Sequence, residues 1–273
     1  MRDMAFGQFY PANSFVHKMD ARIKILLSIA YLVAVFLIKE FVFWGFLAAA
    51  VFIVVACIFS KVPVFKVIGS VKAILVFVIL SAVLQIFFNK EGNIVVNWWI
   101  FKITDIGFKK AAFIVLRIML VVMGTSLLTL TTTPVALADG IESLLTPLRL
   151  IKFPVHEFAL IMSIALRYIP TLLDETDRII KAQKARGADF ESGGLFKRAK
   201  AMIPVLIPLL ISSFRRADEL AVAMECRCYR GGEGRTRMTT LHLHFRDFAL
   251  LFAVIAAGAA VTLLGRFIPI YKI

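Results

Sequence analysis

Two arginines in this chain are each held between small residues at the end of an amphipathic run. Arg186 stands in Ala185-Arg186-Gly187 and Arg227, 41 residues later, in Cys226-Arg227-Cys228. Arginine offers a planar fork of five donors suited to bidentate pairing with a carboxylate, and it stays charged when partly desolvated. Small neighbours let the backbone approach a partner, so such a guanidinium enters a groove. A basic residue at a helix C-terminus also complements the helix dipole, and glycine ends helices. Dipole compensation does not require both flanks to be small, however, and here the pattern occurs twice.

Other constellations are weaker. Cys226 and Cys228 followed by His242 and His244 offer four zinc-type ligands, but residues two apart on a helix point in nearly opposite directions, and the spacing is uncommon for zinc. Intramembrane hydrolysis needs a nucleophile with its base, paired acids or a His-Glu-x-x-His motif. Ser81, Thr125 and Ser126 lie in apolar runs with no histidine near them in sequence, whereas His17, His156, His242 and His244 all lie outside those runs. No phosphate-binding glycine loop with Lys-Ser/Thr occurs, so any nucleotide is expected to be handled by partners. The chain therefore reads as non-catalytic, with no metal and no cofactor of its own.

The elements that position the arginines follow from composition. Mean hydropathy is +0.86, 25 of 273 residues are Phe, and 18% are charged. Several apolar runs approach bilayer-spanning length, which makes this an integral, multi-pass membrane protein. The formal charge of +14 fits Lys and Arg retained in cytoplasmic loops and needs no nucleic-acid partner. Three cysteines, with Cys57 inside an apolar run, argue against a disulfide framework. The first run lacks a small-residue cleavage site and is expected to remain as a span rather than a removed leader.

The fold class expected is all-α, with about five transmembrane helices and a cytoplasmic coupling domain of long amphipathic, crossed helices. Three segments are expected: residues 1–131 with four spans, 132–240 as the coupling domain, and 241–273 as a C-terminal span. Asp20 is placed to cap a helix from Ala21, and Arg22 and Lys24 put its start in the cytoplasm. Spans follow at about 23–38, 41–59, 71–88 and 111–130. The lysine-rich 60–72 is read as an inner connection and 89–110 as an outer loop, with Trp98 and Trp99 at the interface. Arg117 is expected to snorkel or to make a helix–helix bond. It is also the lone support for a self-sufficient secondary transporter, which calls for midplane ionisable residues or broken spans.

From Thr131 the character changes. Residues 131–154 predict a short amphipathic helix at the inner surface. A long helix is expected from about Val155 to Arg186 and a second from about Lys197 to Tyr229, kinked at Pro170 and at Pro204 and Pro208. Asp174 with Arg178 and Asp177 with Lys181 are spaced for helical ion pairs. Asp177 precedes Arg186 by nine residues, and Asp218 precedes Arg227 by nine: two helices of one design. Between Lys181 and Arg237 twelve Lys or Arg face six Asp or Glu, which assigns this region to the cytoplasm. The apolar early halves, including Phe158, Ile161, Ile169, Leu206 and Leu210, together with Leu137 and Leu144, read either as a platform for a partner or as packing against the chain's own spans.

The arginine tripeptides, together with the opening "GQFYPANSFVHKMDARIK", resemble the EcfT family, the transmembrane coupling subunits of energy-coupling factor (ECF) vitamin and metal importers, over nearly the whole chain. The resemblance implies a scaffold in the cell membrane that holds a substrate-binding S component and a pair of ABC-type ATPases. It implies that Arg186 and Arg227 sit at the tips of crossed coupling helices and dock into acidic grooves of the two ATPases, which bind the ATP. Two departures stand out. The second signature is usually Ala-Arg-Gly, and here Cys228 replaces the permissive glycine, so helix termination is expected to fall on Gly231-Gly232 instead. Ala21 stands where the family often has proline.

Overall fold

The computed structural model describes residues 9–38, 43–88, 94–98, 101–147, 154–190, 192, 194–231 and 245–267. Helices dominate: α1 (Phe15–Lys18), α2 (Ala21–Leu37), α3 (Phe43–Ser60), α4 (Val64–Lys72) and α5 (Leu75–Phe88) precede a two-stranded hairpin, β1 (Ile94–Trp98) and β2 (Phe101–Thr104). Then come α6 (Asp105–Thr131), α7 (Pro134–Leu145), α8 (Val155–Ala185), α9 (Leu195–Cys226) and α10 (Phe245–Phe267). The chain divides into two compact units, residues 8–140 with 241–273 and residues 141–240 with 1–7.

In the first unit, α2, α3 and α6 surround a core of Tyr31, Val35, Phe46, Ile53, Cys57 and Leu120. The approach of α2 to α6 depends on Gly124, where a Cβ would overlap the Tyr31 ring. The Tyr31 hydroxyl donates to the Leu120 carbonyl at 3.2 Å, one turn earlier on α6. Gly258 lets α10 come close to α2, since a Cβ there would lie 3.0 Å from that of Ala34. Arg117 resolves as a helix–helix bond: its Nη2 donates to the Ile38 carbonyl at 2.6 Å and its guanidinium lies over the Phe46 ring. A cation at that carbonyl completes the C-terminal end of α2.

The opening motif is a knot that ties helix ends together. Ser14 caps α1, and its Oγ lies 2.7 Å from His17 Nδ1. His17 Nε2 reaches the Tyr10 carbonyl at 2.9 Å, while the Tyr10 amide donates to Leu130 O at the end of α6. Asp20 caps α2 by accepting from the Arg22 amide, as expected. Buried Lys24 donates to the carbonyls of His17 and Thr131. The ammonium thus finds oxygen partners, and the carboxylates of Asp20 and Asp247 add favourable charge nearby, as a buried cation requires.

Two loops are more ordered than expected. The lysine-rich connection after α3 is itself helical: α4 buries Val67 and Val71 and meets α5 at a bend of 63°. In the segment between α5 and α6 the β-branched and aromatic run Ile94–Trp98 pairs antiparallel with Phe101–Thr104, the one departure from an all-α fold among the described residues. Thr104 then caps α6, its Oγ1 accepting from the Gly107 amide, so the helix begins at Asp105, ahead of the apolar run. Trp99 lies outside the described residues.

Three described helices, α3, α6 and α8, are long and apolar enough to cross a bilayer, and the bent α4–α5 pair makes a fourth if it is one span. Helix α2 has 17 residues, about 26 Å, slightly less than a hydrocarbon core of about 30 Å. The apolar stretch within α10, Ala249–Ala260, is shorter still. Five spans are therefore not established by length. α8 qualifies through its apolar first half, since Asp174, Glu175, Asp177, Arg178, Lys181 and Lys184 crowd the second.

Candidate functional site

The second unit is built on α8 and α9, helices of 31 and 32 residues that continue through Pro170 and through Pro204 and Pro208. At 1.5 Å per residue each is about 47 Å long. The ion pairs expected within α8 are absent from those of the described residues. Glu175 instead reaches across to α9, where it accepts from Ser212 Oγ at 2.6 Å and from Arg216 Nη2 at 2.5 Å. Farther along, Gln183 Nε2 approaches the Pro204 carbonyl at 3.4 Å. As α8 advances from 175 to 183, its partners on α9 retreat from 212–216 to 204. The helices therefore cross with opposed directions.

That crossing sends the two signature arginines to opposite ends of the pair. Arg186 lies about 16 Å beyond Glu175 along α8, and Arg227 about 20 Å beyond the Ser212–Arg216 turn along α9, so the tips stand roughly 30–40 Å apart. Ala185, Arg186, Gly187, Cys226, Arg227 and Cys228 are all exposed.

Both tips share one backbone design. Arg186 is the C-cap of α8; the Gly187 amide donates to Lys184 O and the Ala188 amide to Gln183 O, both at 3.0 Å. Arg227 is the C-cap of α9; the Cys228 amide donates to Glu225 O at 2.9 Å and the Tyr229 amide to Met224 O at 3.0 Å. These are two Schellman ends. Each places its arginine on the last turn, where the carbonyl dipoles favour a cation, and turns the following chain away.

The expectation that termination moves to Gly231-Gly232 is overturned. Cys228 itself takes the left-handed conformation, φ 56°, at the position where Gly187 has φ 87°. The hydrogen-bond pattern of the Schellman end prevails over the side chain's preference, because two otherwise orphaned carbonyls are satisfied there. The cost lies in the cysteine Cβ, about 1–2 kcal/mol for a left-handed non-glycine residue. Cys228→Gly is accordingly expected to stabilise the end of α9 by about 0.5–1 kcal/mol, the looser unfolded chain offsetting part of the gain. Gly187→Ala should weaken the end of α8 by a similar amount. Hydrogen exchange of the amides at 228 and 229 and at 187 and 188 reads both effects; faster exchange in Cys228→Gly would contradict the assignment.

The platform residues divide. Phe158, Ile161, Ile169, Leu206 and Leu210 are 41–63% exposed, which no packed core side chain shows. Leu137 and Leu144 on α7 are half-buried. Ile203, Ile207, Ile211 and Phe214 extend the exposed apolar face of α9, while Val205 is fully buried. The cross-helix contact of Glu175 with Ser212 and Arg216 was not singled out from sequence. The i, i+4 spacing of Ser212 and Arg216 on one face of a helix was its available signal.

His242 and His244, the other half of the cysteine–histidine constellation, lie outside the described residues. Among the described residues no group of three or more His, Cys, Asp or Glu side chains is arranged to hold a metal ion.

Comparison with known proteins bears on the same residues. The family model described as CbiQ, cobalt transport protein, matches residues 12–238, a stretch that includes Ser14, His17, Asp20 and Lys24 of the knot and both arginine tips, and ends before α10. A protein of Clostridium kluyveri named energy-coupling factor transporter transmembrane protein EcfT is 51% identical over 249 residues, 91% of this chain and 92% of that protein. The chain belongs to the EcfT family. The EcfT of Thermosediminibacter oceani is 47% identical over 270 residues, covering 98% of this chain and all of the relative, and that of Listeria innocua is 44% identical over 254 residues, covering 93% and 95%. With EcfT relatives matched over nearly their full length, the resemblance drawn from the arginine tripeptides extends through α10 as well. This EcfT-family chain is a membrane transporter subunit.

Proposed function

We propose that this chain couples ATP hydrolysis by two ABC-type ATPases to a membrane-embedded, substrate-binding S component. The observation that supports this most directly is the pair of exposed, identically capped arginines at opposite ends of crossed helices. One arginine would serve one acidic groove. Two, about 30–40 Å apart, suit a pair of separate subunits.

The steps follow from the geometry. Each guanidinium enters an acidic groove of one ATPase on the cytoplasmic side and pairs with carboxylates there. Exposed small flanks at Ala185 and Gly187, and at Cys226 and Cys228, let the helix end approach closely. ATP binding draws the ATPases together, the tips move with them, and the change in the crossed pair is carried along α8 and α9 to their apolar faces. Phe158, Ile161, Ile169, Leu206 and Leu210 on those faces form the platform beneath the S component, with Leu137 and Leu144 contributing less. The chain itself performs no hydrolysis and binds neither cofactor nor nucleic acid; the S component selects the micronutrient. The site of action is the cell membrane.

Affinity purification of the tagged chain from native membranes, in mild detergent, is expected to bring down two ABC-type ATPase chains and a small membrane protein. Recovery without any ATPase would overturn the proposal.

A further inference from the structure

We propose that Glu175 is the fulcrum of the coupling unit, a positioning residue whose carboxylate fixes the angle between α8 and α9 so that displacement of one arginine tip is delivered to the other arm. The inference rests on the coupling role given above. Its basis is geometric. Both Glu175 oxygens accept from α9, Oε1 from the Ser212 hydroxyl at 2.6 Å and Oε2 from Arg216 Nη2 at 2.5 Å. Residues 212 and 216 are one turn apart, so a single planar carboxylate is tied at two points along the partner helix. Rotation of α8 about that contact breaks one bond or the other.

The surroundings make this clamp responsible for the angle. A cleft of about 450 Å3, lined by Thr171, Asp174, Arg178, Ile179 and Ala182 as well as by Glu175 and Arg216, opens at the crossing. Five of the lining residues, Thr171, Asp174, Glu175, Arg178 and Arg216, are polar or charged, and two, Ile179 and Ala182, are apolar. An apolar contact would be non-directional and tolerate sliding, whereas a charge-assisted hydrogen bond is directional. The side chains of Glu175 and Arg216 are 22% and 32% exposed, so water screens the attraction only in part. The other cross-helix hydrogen bond described, from Gln183 to the Pro204 carbonyl, is long at 3.4 Å and gives little angular hold.

The test measures the angle itself and then its use. Spin labels are attached at Ala185→Cys and at native Cys226 in the full chain, with Cys57→Ala and Cys228→Gly removing the other two thiols, in lipid nanodiscs. The parent is expected to give one narrow distance distribution, and Glu175→Ala to broaden it at least roughly twofold, because a directional constraint has been removed. Exchange of the pair, Glu175→Arg with Arg216→Glu, should narrow it again. A parent-like width in Glu175→Ala, or no recovery in the exchange variant, overturns the proposal. Should the alanine variant fold poorly, Glu175→Met, close in size and without a carboxylate to accept from Ser212 and Arg216, carries the same comparison.

In the assembled transporter, Glu175→Met is expected to keep the ATPases bound and hydrolysing while substrate moved per ATP falls roughly tenfold. Unchanged transport per ATP overturns the fulcrum. Because the label distance is read without partners, failure of the docking role and failure of the fulcrum give different results.

Discussion

Reversing both tip charges, Arg186→Glu with Arg227→Glu, is expected to abolish co-purification of the ATPases while leaving the membrane protein folded. Each arginine would be paired with carboxylates in a groove, and loss of one partner of such a desolvated pair costs about 2–5 kcal/mol, with repulsion added by the reversal. At about 1.4 kcal/mol per decade, a single reversal weakens association by at least roughly thirtyfold, and the double reversal takes it below detection. The fold is spared because both residues are exposed and the helix ends are held by the amides of residues 187, 188, 228 and 229, independently of either guanidinium. Arg186→Lys keeps the charge and loses the fork, so an intermediate affinity is expected. Pull-down from co-expressing cells reads the series. ATPases retained by the double reversal would rule out docking through these residues; a complex that assembles but no longer transports would assign them to coupling instead.

The second large effect is expected at Gly124→Leu. No Cβ fits at 124 against the Tyr31 ring, which is stacked on Phe52 with centroids 5.3 Å apart and bonded through its hydroxyl to Leu120 O. The ring can make way only by giving up its stacking on Phe52 and its bond to Leu120 O. Overpacking of this kind costs about 1–3 kcal/mol, and loss of the hydroxyl bond about 1 more. Thermal unfolding in detergent should therefore show a marked fall for Gly124→Leu, partly restored when Tyr31→Ala removes the ring. An unchanged melting temperature in the single variant would mean that α2 and α6 do not meet through this glycine.

Much of the site was legible in the chain. Arg186 and Arg227 stood out because charged residues between small ones are conspicuous at the end of an amphipathic pattern, and because two runs shared one layout. Helix ends are local: the amides of 187 and 188 bond to carbonyls three to five residues earlier, so neighbouring residue types suffice to place them. The second tip was misjudged for the same reason. A preference scale assigns cysteine a poor left-handed residue, yet the pattern at Met224 and Glu225 holds Cys228 there. The 89–110 segment was read from its charge and its tryptophans, and the β-branched run Ile94–Val96, a strand signal, was passed over.

Sequence alone determined that this is a membrane protein with two long, charge-tipped helices, because hydropathy, charge placement and helix ends depend on residues near one another in the chain. Only the tertiary structure decided that α8 and α9 run in opposed directions and so carry Arg186 and Arg227 to opposite ends. It also decided that Glu175 bonds across to Ser212 and Arg216 rather than leaving Asp174 and Asp177 to pair along α8, and that Gly124 is where Tyr31 must fit. Those facts join residues 37 to 93 positions apart. No local periodicity encodes which of several available partners such a side chain meets once the helices have packed.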